Sequence, residues 1–253
     1  MNLKNFRIFL ISLCVAAALI ALKFLLHSLG WEVIVMGSLH NSVAAGAFFV
    51  VGFLLSATIA DYKESERIPS EFASILENMY DDARSAHTTY SKFDLEAFRK
   101  QLIKVARYFR KDVRNKTHEA RHEVSRLNDT FIAMETAGVP ANFIVKLKQQ
   151  QAQLGRSLFR VNYIQNIRFI PSAAILARSI VTAIVVLLLF TEIEPFYGGM
   201  AIVAAISFIL VYMLLLIQII STPFHGAGKT QDDVSLFLID EALAYLQKQK
   251  SKQ

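Results

Sequence analysis

His118-Glu119-Ala120-Arg121-His122 satisfies the pattern H-E-x-x-H. On a helix, histidines at i and i+4 share a face and can hold one zinc ion while the glutamate activates a water. The surroundings argue against that chemistry. Lys111, Arg114, Lys116, Glu123 and Arg126 make this a solvated charged face, and Arg121 would set a positive charge beside the metal. No nearby downstream residue stands out as a third ligand, and Glu135, a candidate, follows no recognised spacing. A pattern with two open positions arises readily by chance in a charged helix. There is no phosphate-cradling glycine loop, no serine-histidine-aspartate elbow and no dinucleotide fingerprint. The residues therefore predict neither an enzyme nor a cofactor nor a resident metal.

The polar and aromatic residues within apolar runs carry more information. Arg178 lies two turns inside an apolar block, where an arginine costs on the order of 3 kcal/mol. It must either face an ion path or a partner, or reach back to the headgroups. Lys23 poses the same question near the end of the first block, weighted towards reaching the interface. In the second block, Ala45, Phe49, Phe53 and Ala57 recur every fourth residue on one helix face. Such a small/aromatic stripe is either ordinary helix packing or, with several copies around an axis, an apolar constriction that gates by dewetting.

The elements that hold these residues follow from hydropathy. Of the 253 residues 54% are hydrophobic and 19% charged, against roughly 25% charged in soluble domains. The excess collects in four blocks, at about 6–26, 42–60, 172–191 and 196–220. Each is ~20 residues long, enough at ~1.5 Å per residue to cross a ~30 Å hydrocarbon layer. This excludes a mainly soluble enzyme. The first block is expected to be a retained span, because its apolar run exceeds a signal-peptide core and no small-x-small cleavage site follows. The only cysteine, Cys14, excludes an intramolecular disulfide and a cysteine zinc cluster. A net charge of +6 is too small and dispersed to point to nucleic acid.

Of the 27 Lys and Arg residues, 19 lie in 61–171, and the short connections 27–41 and 192–195 hold none. Basic residues resist translocation, so 61–171 and both termini are expected in the cytoplasm of a cell (inner or plasma) membrane protein. The expected divisions are a first transmembrane hairpin (1–60), a cytoplasmic helical region (61–171), a second hairpin (172–221) and a cytoplasmic tail (222–253). Within the insert, Phe72, Ile75, Leu76, Met79 and Tyr80 stripe a helix opened by Pro69 and Ser70. A polar break at 87–91 precedes a second helix, about 94–137, with Leu95, Phe98, Leu102, Val105 and Phe109 on one side. Gly138 stops it and Pro140 opens a third helix to about 168, striped by Phe143, Ile144, Leu147, Leu154, Leu158 and Val161. No strand pattern is present, so the fold class is all-α.

Phe49-Val-Val-Gly-Phe53 resembles the pore-helix motif of bestrophins, with phenylalanines flanking a Val-x-Gly core. The run from Asp61 to Pro69 is similar to the polar, aromatic stretch that leads to a proline in that family. Ile219-Ile-Ser-Thr-Pro-Phe224 followed by Asp232-Asp233 resembles its Asn-Pro-Phe-Gly and acidic stretch. The order of two spans, helical insert, two spans and Pro-Phe tail also agrees. The resemblance implies a homopentameric ion channel, commonly anion-selective, in membrane lipid. Phe49 and Phe53 would form the neck, and Ala45 would replace a bulkier branched residue. Two departures stand out. Asp61-Tyr62-Lys63 replaces an Arg-Trp-Trp common after the neck. Only Asp232 and Asp233 remain where animal members carry a dense acidic calcium clasp, leaving at most a weak cation site.

The leading expectation is therefore an oligomeric channel for small inorganic ions, chloride among them, with its second span lining an apolar neck. The alternative is a membrane scaffold or regulatory protein that binds a partner through its cytoplasmic helices.

Overall fold

The structure, a computed structural model, describes residues 6–35, 37–166, 171–224 and 233–249. In chain order the elements are α1 (Arg7–Ser28), β1 (Ile34–Val35), α2 (Ser38–Thr89), α3 (Leu95–Asn115), α4 (Ala120–Ser125), α5 (Leu127–Thr136), α6 (Ala141–Asn166), α7 (Pro171–Phe190), β2 (Thr191–Glu192), α8 (Phe196–Ile220) and α9 (Phe237–Lys248). Four of these helices are long and apolar enough to cross a membrane: α1, the first part of α2, α7 and α8. The chain is thus an all-helical integral membrane protein.

It packs as two units. The first comprises Met1–Tyr62 and Arg168–Thr222, with Thr230–Asp232. Hydrocarbon gives apolar helices no hydrophobic reason to associate, so close packing must hold them together. Small residues allow it: Ser12 and Ala16 on α1 and Ser207 on α8 are buried, and α1 lies along α8. Gly199 serves the entry into α8 instead: a Cβ there would come within 2.7 Å of the Ile193 Cβ, so only glycine lets the preceding connection pack this closely on the first turn. The unit's apolar centre joins Ala47 and Val51 of α2 to Val181, Ile184 and Leu188 of α7 and Val203, Leu210 and Ile217 of α8.

The second unit comprises Lys63–Ile167 with Pro223–Lys229 and Asp233–Gln253. Here water drives burial. Phe72, Leu76, Met79 and Tyr80 of α2, and all five stripe residues of α3, are buried, with Phe72 stacked on Phe109 at 3.9 Å between ring centroids. The α6 stripe buries Ile144, Leu147, Leu154 and Val161, while Phe143 and Leu158 are half-buried. Gly138, at φ +84, ends α5 in the left-handed region as expected.

Helix α9 docks on α3 through Ile239, Ala242, Leu243 and Leu246. Arg99 donates to the Leu246 carbonyl at 2.7 Å, and Arg110 pairs with Asp240 at 2.8 Å. Tyr245 donates to Asp81 Oδ1 at 2.6 Å; burial and that carboxylate push its phenol up to about 12.

The structure corrects three expectations. Pro69 does not open a helix; it lies inside the 52-residue α2. An internal proline forfeits one backbone hydrogen bond at a cost of ~3 kcal/mol, and here buried Ile68, Phe72 and Leu76 hold the helix across it. The single helix expected over 94–137 is three, α3 to α5. Lys116 turns left-handed at φ 56, and the Asp112 carboxylate accepts from Thr117 Oγ1 (2.6 Å), Glu119 N (3.0 Å) and Ala120 N (2.8 Å). These bonds supply the orphan amides of α4 with an acceptor and stabilise the break. Finally, β1 and β2 form a two-residue parallel pair, Ile34 opposite Thr191 and Val35 opposite Glu192, too short to leave a period in the sequence.

Candidate pore-lining face

The first part of α2 has two unlike faces. Ala47 and Val51 are buried in the first unit's centre, and Thr58 is buried further along the same helix. Ser42, Ala45, Gly46, Phe49, Phe53, Ser56 and Ala60 form the opposite, exposed side of the helix. Phe49 is 75% and Phe53 67% exposed, far more than most apolar residues of these helices. Ala57 is half-buried at the edge of this face. Helix geometry explains why: four-residue steps advance ~40° each, so the row has turned ~120° between Ala45 and Ala57.

The exposed side of α1 carries Phe9, Leu10, Leu13, Phe24 and Leu25 together with Cys14, Ala17, Ala18 and Ala21. The α2 face is set apart by its glycine and by two phenylalanines more exposed than any large hydrophobic side chain of that α1 surface. Serines, alanines and a glycine flanking two phenylalanines suit the close approach of another helix.

Arg178 is exposed on α7, and among the described residues it has no ion-pair partner. Asp233 is half-buried in the segment before α9, and Asp232 lies outside the described residues.

Lys23 does not reach for the headgroups. It is 1% exposed. Its ammonium pairs with Glu32 and donates to the backbone oxygens of Leu189 (3.2 Å) and Thr191. The Leu189 carbonyl belongs to the last turn of α7, where a cation meets the negative end of the helix dipole. Glu32 Oε2 lies 2.6 Å from His27 Nδ1, and the His27 ring stacks on Phe196 at 3.9 Å. Burial pushes the Glu32 carboxyl up, but the hydrogen bonds and charges of Lys23 and His27 outweigh it and hold the group below its ordinary value. This cluster ties the end of α1 and the α1–α2 connection to the end of α7. Sequence reading missed it, though Glu32 alone among the acids in 1–41 was a visible signal.

The H-E-x-x-H residues do not share a helix. His118 and Glu119 precede α4, and Lys111 Nζ pairs with Glu119 at 2.7 Å. Among the described residues no group of three His, Cys, Asp or Glu side chains is placed to hold a metal.

The whole chain matches solved structures in fold. A mutant of a bacterial bestrophin homologue from Klebsiella pneumoniae superposes with TM-score 0.78 at 12% identity, covering 99% of this chain and 100% of that one. A second mutant of that homologue gives TM-score 0.77 at 13% identity over 100% of each chain. A crystal structure described only as a membrane protein gives 0.82 at 11% identity, covering 97% and 99%. No family model and no curated protein matches the chain. The likeness to bestrophins expected from the sequence is thus present in the fold of the entire chain.

Proposed function

We propose that this chain is one subunit of a homo-oligomeric ion channel, a pentamer by likeness to bestrophins, that conducts small anions such as chloride. Copies of α2 converge on a central axis, and the rings of Phe49 and Phe53 form an apolar neck with Ala45 and Ala57. The carrying observation is the exposed α2 face, where Phe49 and Phe53 stand outward one turn apart between flanking runs of small residues. A narrow apolar ring holds back ions by dewetting and passes them when it widens or wets.

The charge distribution supports anion selection. Lys100, Lys104, Arg107 and Lys111 stand exposed along one side of α3. A cytoplasmic vestibule lined by such a ridge would raise the local anion concentration, screened over ~8 Å at physiological salt. Arg178 acts in the same sense if α7 borders the path. Asp233, with Asp232, offers at most a weak cation contact.

The deciding experiment is planar-bilayer recording of purified protein under ion substitution. Wild type is expected to pass chloride, and Phe49→Ala with Phe53→Ala to raise conductance while assembly is retained. Unchanged currents with intact assembly would remove the neck assignment.

The exposed Ile132 of α5 and Val145, Phe159 and Tyr163 of α6 favour one second reading, a membrane scaffold holding another protein. Mass measurement separates the two: a detergent-solubilised monomer supports the scaffold and a homo-oligomer the channel.

A further inference from the structure

The second unit contains a cavity of about 370 Å³ between α3, the joint that leads to α4, and α6. Its volume falls within the usual ~300–1,000 Å³ of small-molecule sites. The walls are mainly apolar, with Phe109, Val113, Leu158 and Phe159 prominent, while His118 and Arg121 add polar nitrogens. The interruption of the H-E-x-x-H helix is what brings these two side chains to the cavity.

Three observations show a built site. The first is Gly155, which lines the cavity in the interior of α6. Glycine is unfavourable in a helix interior, and neither usual reason for it applies. Its φ is not positive, and a Cβ there would meet nothing within 4 Å. Its missing side chain leaves open the space beside it.

The second is Arg121, whose guanidinium carbon lies 4.8 Å from the Phe159 ring centroid. Stacking a guanidinium on a ring leaves its in-plane N–H groups available, and among the described residues Arg121 has no ion-pair partner. The third is Asp112, the one carboxylate in the lining. Its oxygens accept from Thr117 Oγ1, Glu119 N and Ala120 N, so its charge is answered within the joint.

We infer that this cavity binds a small amphipathic organic anion, an aromatic carboxylate whose ring lies against Phe109 and Leu158 and whose carboxylate meets Arg121, with His118 beside it. The site is independent of ion conduction and stands whether or not the neck assignment does.

The test uses the full chain in lipid nanodiscs with 1-naphthoate as probe, its neutral amide as control and empty nanodiscs as blank. Wild type should bind naphthoate saturably. Gly155→Leu fills the space and should abolish binding of both compounds, with an unfolding temperature no lower than wild type. Arg121→Gln, a surface change, should weaken naphthoate roughly tenfold and leave the amide unchanged, as expected for loss of a charge-assisted bond. Absence of saturable naphthoate binding, or binding that Gly155→Leu leaves intact, overturns the proposal. Equal weakening of acid and amide by Arg121→Gln overturns the assignment of an anion.

Discussion

Two cations sit in apolar helices of the first unit, Lys23 in α1 and Arg178 in α7. Sequence poses one question of both, and leans for Lys23 towards the interface: each is a single charge inside an apolar run, with a long stem that can reach water. The structure separates them. Lys23 is enclosed, joined to Glu32 and to the backbone oxygens of Leu189 and Thr191, whereas Arg178 stands exposed with no ion-pair partner among the described residues. The difference lies in what the fold brings within reach. Lys23 lies near a helix C-terminus with unused carbonyls and a loop that returns one carboxylate. Arg178 lies in mid-helix, where the backbone oxygens are already spent on the helix. A buried, answered charge holds structure together; an exposed, unanswered one is free to act on something outside the chain.

Variants test that division, and the largest effect belongs to Lys23. Lys23→Met leaves Glu32 enclosed without its counter-charge and should cost about 3–5 kcal/mol of stability, the range for breaking one side of a buried pair. Adding Glu32→Gln should recover much of that loss. Chemical unfolding in detergent measures both; a single variant as stable as wild type would mean that the pair is not formed.

Acid gives a second handle. Because the Glu32 carboxyl is held below its ordinary value, its contribution is complete above the unfolded-state value, near pH ~4.3. It disappears as pH falls through the lower, folded-state value. Wild type should therefore lose more stability than Glu32→Gln across that acid window in parallel unfolding curves. Parallel slopes would deny the coupling.

His27→Gln should cost about 1 kcal/mol, since it removes one hydrogen bond to Glu32 and one ring stack while Lys23 remains. The smallest change in stability is expected for Arg178→Met, within ~0.5 kcal/mol, together with a shifted anion-to-cation permeability ratio in reversal-potential measurements. A large destabilisation without a permeability change would reverse the roles assigned to the two cations.

Much of the architecture is legible in the sequence because its signals are long. Four runs of apolar residues and the 3.6-residue stripes of α3 and α6 each average over several turns, and no single residue can mislead them. Pro69 misleads because a local rule is overridden by the buried neighbours Ile68, Phe72 and Leu76. The α3–α4 break is invisible because it depends on the Asp112 carboxylate accepting from a hydroxyl five residues ahead and from amides seven and eight residues ahead. Helix α9 was legible and overlooked: Ile239, Ala242, Leu243 and Leu246 stand at i, i+3, i+4 and i+7. At the candidate neck the residue types were readable, and so was their shared face, apart from the turn of helix that draws Ala57 aside. The Lys23 cluster was not, because Leu189 and Thr191 contribute backbone oxygens, which every residue has.

The central claim is that the exposed α2 face of several copies meets at one axis. Disulfide cross-linking of Phe49→Cys in a Cys14→Ser background, in native bilayers, tests it most directly. The account predicts efficient linkage between chains at position 49, and none when the cysteine is placed instead at Leu13 on the outward side of α1. Equal failure at both positions, with Phe49→Cys open to lipid-borne thiol reagents, would contradict it.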